Sequence, residues 1–318
     1  MSSGEAMLAL GKYEGAGNDF LVLLDPPAEG PLRADEVVAL CHRRLGVGAD
    51  GLLELRPGSA GSDLGMVLWN ADGSQAEMSG NGVRCLVHAA LDAGRVGPGA
   101  VRVATAAGLR TVEVRRTEAP GTAEAEVAMG PVELGPGWVR AGDRWEELLP
   151  VAGAPAGAPR LEDGAVAALQ AMLTEAVPGP RLWVRLAGAG NPHVVVVLGE
   201  ARDREELGAL AARLGPSVGR LVPGGANLEV GVLEGPGRAR MAVFERGVGL
   251  TQACGTGSVA FGAVVAASGL SPAPLDVANP GGVLRVALGS DGVRLGGPSR
   301  RVAEVRVARA WLWGPQRP

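Results

Sequence analysis

Runs of apolar residues alternate along the chain with glycine-rich turns, a pattern that favours many short strands and few helices. Residues 15–24 (GAGNDFLVLL) and 188–197 (GAGNPHVVVV) each predict a tight turn leading into a buried strand. Apolar positions recur at helical spacing after residue 82, and residues 259–267 are apolar on all sides. We therefore expect a helix at both places, the second fully buried. Further helices are expected at about 34–44, 163–175 and 203–213, and connections at the Pro/Gly-rich stretches 130–137 and 152–159.

The two halves of the chain carry the same landmarks at offsets of 173 to 175 positions. The landmarks are a turn asparagine, the end of an apolar run, a residue before a Gly-X-Gly helix start, and a glycine suited to the helix end. The pairs are Asn18 and Asn191, Asn70 and Glu245, Ser79 and Cys254, and Gly94 and Gly269. The repeat predicts two similar lobes, residues 1–130 and 131–302, the first completed by a C-terminal strand at about 303–318.

Composition and charge exclude several classes of protein. The net charge is −4 without a basic cluster, which argues against nucleic acid and anionic membranes as partners. No apolar run reaches the roughly 18 residues of a membrane span, and the first residues lack a secretory signal. The three cysteines are scattered and fit neither a disulfide framework nor a zinc site. We therefore expect no metal, and we expect a cytoplasmic location.

Lysine occurs once, at Lys12. A pyridoxal-phosphate enzyme needs a Schiff-base lysine, and a P-loop needs a lysine before Ser or Thr. Lys12 stands in neither context, which argues against both classes.

Cys254 precedes Gly-Thr-Gly and a long apolar helix, so it is expected at a helix N-terminus. There the unpaired N–H groups favour negative charge, should lower the pKa of the thiol, and could hold a substrate carboxylate. Ser79 would occupy the equivalent position of the first lobe. Two such helices pointing at one carboxylate would place Ser79 and Cys254 on opposite sides of the adjacent carbon, the logic of a racemase or epimerase without a metal or cofactor. The alternative for Cys254 is an inert buried thiol.

These segments together resemble the diaminopimelate epimerase family, cofactor-independent enzymes that invert one stereocentre of LL-diaminopimelate to give the meso form. The matching segments are GAGNDF (15–20), GVGADG (46–51), NADGS (70–74), GNGVRC (80–85), GNPH (190–193), Asn227, FERGVG (244–249) and ACGTG (253–257). The resemblance implies an α/β (α+β) fold of two pseudo-symmetric lobes, each a barrel-like, mostly antiparallel sheet around a central helix. It also implies an active site in the cleft between the lobes, a small amino-acid substrate and a homodimer.

The resemblance further implies a role for each matching residue. Cys254 corresponds to one of two catalytic thiols, and His193 and Glu245 to residues that tune their protonation. The backbone positions that hold the reacting carboxylate correspond to Gly80, Asn81, Gly255 and Thr256. Asparagines that recognise the substrate correspond to Asn18, Asn70, Asn191 and Asn227, and Arg246 corresponds to the residue that pairs the distal carboxylate. From the residues alone, Asn18 and Asn191 could be turn residues, Glu245 and Arg246 a solvated ion pair, and His193 a core histidine.

The chain departs from the family pattern at Ser79, where the family has its other cysteine. A hydroxyl is a much weaker acid than a thiol. Cys85 lies six residues further on, about 9 Å along the helix and about 120° around it, so it cannot take the place of Ser79. We expect Cys85 and Cys41 in the core. Gly51 stands where some members carry glutamine.

Three explanations of Ser79 stay open: a working epimerase in which Ser79, aided by a neighbour or a water, handles one proton; a related single-thiol racemase or hydroxyproline-type dehydratase; or an engineered substitution. The first is favoured because the recognition asparagines and Arg246 are all present. A non-catalytic amino-acid-binding protein is the competing function from another class.

Overall fold

The computed structural model describes residues 7–27, 30–59, 61–148, 158–162, 164–179 and 181–312. The strands are β1 (Met7–Gly15), β2 (Asn18–Leu23), β3 (Gly51–Pro57), β4 (Leu64–Asn70), β5 (Gln75–Ala76), β6 (Gly99–Thr105), β7 (Gly108–Arg116), β8 (Thr122–Gly130), β9 (Glu133–Ala141), β10 (Arg144–Glu147), β11 (Arg181–Gly188), β12 (Pro192–Leu198), β13 (Asn227–Gly235), β14 (Arg238–Glu245), β15 (Gly249–Leu250), β16 (Leu275–Asn279), β17 (Gly282–Gly289) and β18 (Gly292–Ala308). The helices are α1 (Ala34–Cys41), α2 (Gly80–Asp92), α3 (Ala165–Ala176), α4 (Arg204–Val218), α5 (Gly255–Ala267) and α6 (Arg309–Leu312), with a 3₁₀ turn at Gly219–Leu221.

The chain forms two compact units. The first takes the chain as far as Val127 and resumes at Gly297, and the second takes Ala128–Gly296. The boundaries therefore fall within β8 and β18, two long strands that each contribute residues to both units.

In the first unit the strand pairings close into a ring of β1, β2, β3, β4, β6, β7, β8 and β18. The pairs β2–β3 and β4–β6 are parallel, and β1–β2, β3–β4, β6–β7, β7–β8 and β1–β18 are antiparallel. Helix α2 packs against β1, β2, β3, β4 and β7, and all of its residues except Asp92 are buried. The enclosure buries even the polar residues Asn81, Arg84 and His88 of this helix.

The second unit repeats this topology strand by strand. From β11 to β18 the pairings follow the same sequence of antiparallel and parallel neighbours as from β1 to β8, with β12–β13 and β14–β16 parallel. Helix α5 packs against β11, β12, β13, β16 and β17, and is buried except at Thr256 and its last two residues. The expected mixed fold, a mostly antiparallel sheet with a central helix in each unit, is confirmed.

Both central helices end in the way that the sequence predicts. Gly94 and Gly269 have φ values of 68° and 65°, the left-handed conformation of a helix-terminating glycine. The N–H of the following residue bonds back to Ala90 O at 2.8 Å in α2 and to Val265 O at 3.0 Å in α5. These bonds satisfy carbonyls that the helix leaves unpaired.

Other boundaries differ from the expectation. Helix α1 ends at Cys41 rather than 44, and α4 runs to Val218, five residues beyond 213, with Pro216 inside it. The stretch 130–137 is not only a connection, because β9 begins at Glu133. Its glycines allow close packing: a Cβ at Gly135 would lie 2.5 Å from Pro159 O. Residues 152–157 of the second expected connection, and residue 163 of the expected third helix, lie outside the described residues.

Within the described ranges, no helix combines the length and apolar character needed to cross a membrane.

Candidate active site

Helix α2 begins at Ser79, which adopts an extended conformation (φ −137°, ψ 122°) and accepts a hydrogen bond from Gly82 N–H at 3.0 Å. This is the usual geometry of a serine N-cap. In the described chain, no acceptor contacts the N–H groups of Gly80 and Asn81. These two donors, at the positive end of the helix dipole, can bind an anion.

A fully buried arginine supports this helix start. Arg84 donates to Asn81 Oδ1 at 2.6 Å, to Gly80 O at 3.2 Å and to Pro298 O at 3.1 Å. No carboxylate within the described ranges pairs with Arg84, and burial lowers its pKa. The guanidinium therefore adds a buried positive charge to the first turn of α2, held by oxygen acceptors rather than by a direct ion pair.

Asn18 joins the same site through its amide oxygen. That oxygen accepts from Asn81 Nδ2 at 3.4 Å, and Asn18 Nδ2 donates to Asp50 Oδ2 at 2.7 Å. The turn before Asn18 holds Ala16 and Gly17 at φ values of 55° and 83°, the pair of left-handed residues that a two-residue hairpin requires. Asn18 is thus both a turn residue and a neighbour of the helix start.

Asn70 is the last residue of β4 and pairs with Gly51 on β3. On the other side of β3, Gly51 pairs with Phe20 on β2. The Asn70 amide is exposed and donates to Ser74 Oγ at 3.0 Å. The structure therefore shows the Asn70 side chain held in its own turn.

Helix α5 begins at Cys254 in nearly the same conformation as Ser79 (φ −120°, ψ 117°). Its sulfur accepts from Gly257 N–H at 3.4 Å and lies 3.4 Å from Thr256 Oγ1. As at α2, no acceptor contacts the N–H groups of Gly255 and Thr256 among the residues described. The expected placement of Cys254 at a helix N-terminus is confirmed.

Three polar residues lie at adjacent strand ends beside this thiol. His193 on β12 pairs in register with Asn227 on β13, and Glu245 ends β14 one residue beyond the Leu228–Phe244 pair. Asn227 directs its Nδ2 at Cys254 Sγ (4.0 Å), and its Oδ1 accepts from the backbone N–H of Arg246 at 2.9 Å.

The pKa of Cys254 is raised well above that of an ordinary thiol, which corrects the expectation that the helix dipole lowers it. Burial is the main cause, followed by the negative charges of Glu245 and Glu229. The hydrogen bonds from Thr256 and Gly257 act in the other direction but are outweighed. Burial and the nearby Glu229 also raise the pKa of Glu245. The resting thiol is therefore protonated and can serve as a proton donor.

Glu229 is the residue of this site that the sequence reasoning missed. It lies on β13 two residues after Asn227, is fully buried, and contacts His193 Nδ1 through Oε1 at 2.8 Å. A Cβ at Gly257 would lie 2.5 Å from that oxygen, so glycine there makes room for the carboxylate. The signal was available: a glutamate in the otherwise apolar run NLEVGVL needs a buried partner.

Arg246 and Glu245 do not form an ion pair with each other, which was the alternative interpretation of these two residues. Glu245 accepts a hydrogen bond from Thr251 Oγ1 at 2.5 Å. The exposed Arg246 instead donates hydrogen bonds from Nη1 to the backbone carbonyls of Gly224 and Gly225. In the described part of the chain no carboxylate pairs with Arg246. Its remaining N–H donors are available to an external carboxylate.

The other two cysteines lie in the core, as expected. Cys41 and Cys85 are buried, and burial raises the pKa of the Cys85 thiol to about 11. Cys85 accepts a hydrogen bond from Ser299 Oγ at 3.6 Å. No group of three or more potential metal ligands occurs in the ranges that the structure describes.

Solved structures share this fold. A predicted epimerase from Pseudomonas aeruginosa superposes with a TM-score of 0.64 at 16% identity, over 94% of this chain and 98% of that chain. A hydroxyproline epimerase from Agrobacterium vitis, solved with trans-4-hydroxy-L-proline, gives a TM-score of 0.58 at 16% identity, over 97% and 94% of the two chains. At such identities the likeness concerns the fold alone.

Sequence comparison is more specific. The family model described as diaminopimelate epimerase matches residues 10–135 and 185–301. A diaminopimelate epimerase of Synechococcus sp. (strain JA-3-3Ab) is 38% identical over 271 residues, 82% of each chain. One from Mycolicibacterium paratuberculosis (strain ATCC BAA-968 / K-10) is 35% identical over 326 residues, covering 96% of this chain and 99% of the relative. The chain therefore belongs to the diaminopimelate epimerase family of amino-acid epimerases.

Proposed function

We propose that the protein interconverts LL- and meso-2,6-diaminopimelate without a cofactor, and thereby supplies precursors of lysine and of the cell wall. The observation that carries this proposal is the start of α5. There a buried, protonated thiol stands beside two N–H groups without an acceptor in the described chain, with Asn227 directed at its sulfur.

The reaction breaks the bond between the α-carbon and its hydrogen, and the electron pair spreads into the adjacent carboxylate. The N–H groups of Gly255 and Thr256, at the positive end of α5, are suited to stabilise that developing charge. One group removes the proton and another returns a proton to the opposite face, so no atom is gained or lost. Cys254, protonated at rest, acts as donor in one direction and receives the proton in the other.

Ser79 takes the second position in this proposal. Its hydroxyl is a poor base by itself, so a neighbour or a bound water must assist it. The buried guanidinium of Arg84 in the same helix turn favours an anionic state there, because a positive charge inside the protein is less screened than one in water.

Different residues bind the two ends of the substrate in this proposal. Asn18, Asn70, Asn191 and Asn227 recognise its polar groups, and Arg246 pairs with the distal carboxylate. The absence of a carboxylate partner for Arg246 among the described residues supports that assignment.

Solvent deuterium exchange tests the proposal. LL- and meso-diaminopimelate are incubated separately with the enzyme in D₂O, and both exchange at the α-carbon and inversion are followed by NMR. We expect exchange with both isomers, accompanied by interconversion. Ser79→Cys should raise the inversion rate by roughly tenfold or more, since it restores a thiol acid–base group. Absence of exchange with both isomers, in the wild type and in Ser79→Cys, would overturn the proposal.

A further inference from the structure

Asp50 belongs to the segment GVGADG (46–51), and the proposed function gives it no role. Its Oδ2 accepts hydrogen bonds from Asn18 Nδ2 at 2.7 Å and from the backbone N–H of Asp19 at 3.2 Å. Its Oδ1 accepts from Arg43 Nη2 at 2.6 Å. The carboxylate is therefore held against Asn18 by a strand backbone on one side and by a guanidinium on the other.

Arg43 is in turn fixed by a second carboxylate. Its Nη2 and Nη1 donate to the two oxygens of Asp19 at 2.7 and 3.3 Å, and Lys12 Nζ lies 2.9 Å from the same carboxylate. The following loop packs on the arginine, since a Cβ at Gly48, whose φ is 81°, would lie 3.0 Å from Arg43 Cα. Asp50 therefore belongs to an ordered network of charges and is not an isolated surface carboxylate.

A chain of side-chain hydrogen bonds leads from Asp50 to the buried start of α2. After the bond from Asn18 to Asp50, Asn81 Nδ2 donates to Asn18 Oδ1 at 3.4 Å. Arg84 Nη2 then donates to Asn81 Oδ1 at 2.6 Å, and both of these residues are buried. The chain thus consists of two amides between an anion and a cation.

The charged ends decide how the two amides are turned. A guanidinium only donates, so the Asn81 atom that lies 2.6 Å from Arg84 must be the oxygen. A carboxylate paired with an arginine only accepts, so the Asn18 atom that lies 2.7 Å from Asp50 must be the nitrogen. Turning over either amide would bring two donors or two acceptors together at these distances. The contact between the two amides is then a hydrogen bond from nitrogen to oxygen, which agrees with both ends.

We propose that Asp50 is a positioning residue that turns the Asn18 amide so that Nδ2 is a donor to an anionic group of the substrate, while Oδ1 stays on Asn81. One hydrogen of Nδ2 is bonded to Asp50, and no other acceptor contacts this nitrogen within the described ranges. The inference rests on the proposed function in taking Asn18 as a residue that binds the substrate. A turned amide would place its oxygen against the substrate anion and repel it.

The second unit has an alanine where the first has this aspartate. By strand register, Asn191 matches Asn18 and Ala226 matches Asp50. Asn191 Oδ1 instead lies 2.9 Å from His193 Nε2. The repeated fold therefore does not require a carboxylate at this position, and Asp50 serves one asparagine specifically.

A double-mutant cycle tests the proposal. In Asp50→Asn, Arg43 should bind the new amide oxygen, so the new amino group faces Asn18 and favours the turned amide. KM for diaminopimelate should rise about tenfold, with kcat less affected, because a donor to the bound substrate is turned away. In an Asn18→Ala enzyme the same change should add little to KM, because Asp50 acts through Asn18. Steady-state kinetics of the four enzymes measure these effects.

The ¹⁵N–¹H signals of the Asn18 side-chain amide, assigned by their loss in Asn18→Ala, give a readout without substrate. One of the two hydrogens should lie downfield and exchange slowly with solvent in the wild type, because it is bonded to a carboxylate. In Asp50→Asn it should move upfield. Asp63→Asn is the matched control, since the Asp63 side chain is 40% exposed against 41% for Asp50 and also pairs with an arginine, Arg102. It should change neither the amide signals nor KM.

Two rapidly exchanging Asn18 hydrogens of ordinary shift in the wild type would overturn the proposal, even if Asp50→Asn failed to fold. An unchanged KM in Asp50→Asn, or increases in KM that are additive in the double mutant, would also overturn it. A downfield Asn18 hydrogen that depends on Asp50, in a protein without diaminopimelate exchange, would reject the proposed substrate and retain the orienting role of Asp50.

Discussion

The two central helices begin alike but differ in the charged side chains buried beside them. At both starts the N-cap side chain accepts a hydrogen bond from the backbone N–H three residues later, at 3.0 Å for Ser79 and 3.4 Å for Cys254. Nine positions before each N-cap a strand ends, β4 at Asn70 and β14 at Glu245. The shared backbone explains why an anion could bind at either helix.

The buried charged side chains around them are different residues. The first unit places the buried cation Arg84 in the helix turn, whereas its counterpart in α5, by the offset of 175, is Val259. The second unit instead buries Glu229 and His193, with Glu245 at the rim. Repetition of the fold thus gives both helix starts the same backbone geometry, and side chains that are not repeated contribute to the raised pKa of Cys254.

Replacing the thiol should have the largest effect. In Cys254→Ser both helix starts would carry a hydroxyl, and we expect epimerisation to fall by roughly 10²–10⁴-fold, the usual contribution of a positioned acid–base group. The measurement is α-proton exchange in D₂O. Cys41→Ala, which removes a core thiol of α1, is the control and should retain exchange. An active Cys254→Ser enzyme would show that the two starts are chemically equivalent.

The buried cation of the first unit comes next. Arg84→Met removes three hydrogen bonds and leaves Asn81 Oδ1, Gly80 O and Pro298 O without their donor. We expect the free energy of unfolding to fall by about 1–3 kcal/mol and KM to rise, because Asn81 loses its anchor. Urea unfolding and steady-state kinetics measure the two effects.

Val259→Ala is the comparison for Arg84→Met, since it trims the equivalent position of α5. It should lower the free energy of unfolding through lost packing, without the rise in KM. If Val259→Ala and Arg84→Met raised KM equally, Arg84 would have no specific role at the start of α2.

The sequence predicted the parts of this site that depend on backbone geometry. Glycines with positive φ and the Gly-X-Gly motifs located both helix starts and both helix ends, because few other residues tolerate those conformations. It did not predict the raised pKa of Cys254, which depends on desolvation and on the carboxylates of Glu245 and Glu229, 9 and 25 residues away in sequence. Strand register decides which side chains share a face, and only the structure shows that Glu229 and His193 do.

The charge of Glu245 should have a smaller effect, visible in the reactivity of the thiol. Because that carboxylate helps to raise the pKa of Cys254, Glu245→Gln should lower it and increase the thiolate fraction at neutral pH. We expect alkylation by iodoacetamide to become about three- to tenfold faster, with its pH profile displaced to lower pH. Glu234→Gln, which changes a partly exposed carboxylate of β13 paired with Arg240, should leave the rate unchanged. An unchanged rate in Glu245→Gln would mean that burial alone sets the protonation of the thiol.

The smallest effect concerns Ser79 as a helix cap. Ser79→Ala removes the acceptor of Gly82 N–H and should lower the free energy of unfolding by about 1 kcal/mol, similar to Asp203→Ala at the start of α4. The two variants separate capping from chemistry, because Asp203 caps a helix away from the helix starts discussed above. If Ser79 handles a proton, inversion should fall in Ser79→Ala and persist in Asp203→Ala at equal loss of stability in urea. If both variants retain inversion, Ser79 is a cap alone, and the second proton must pass through another group of the first unit.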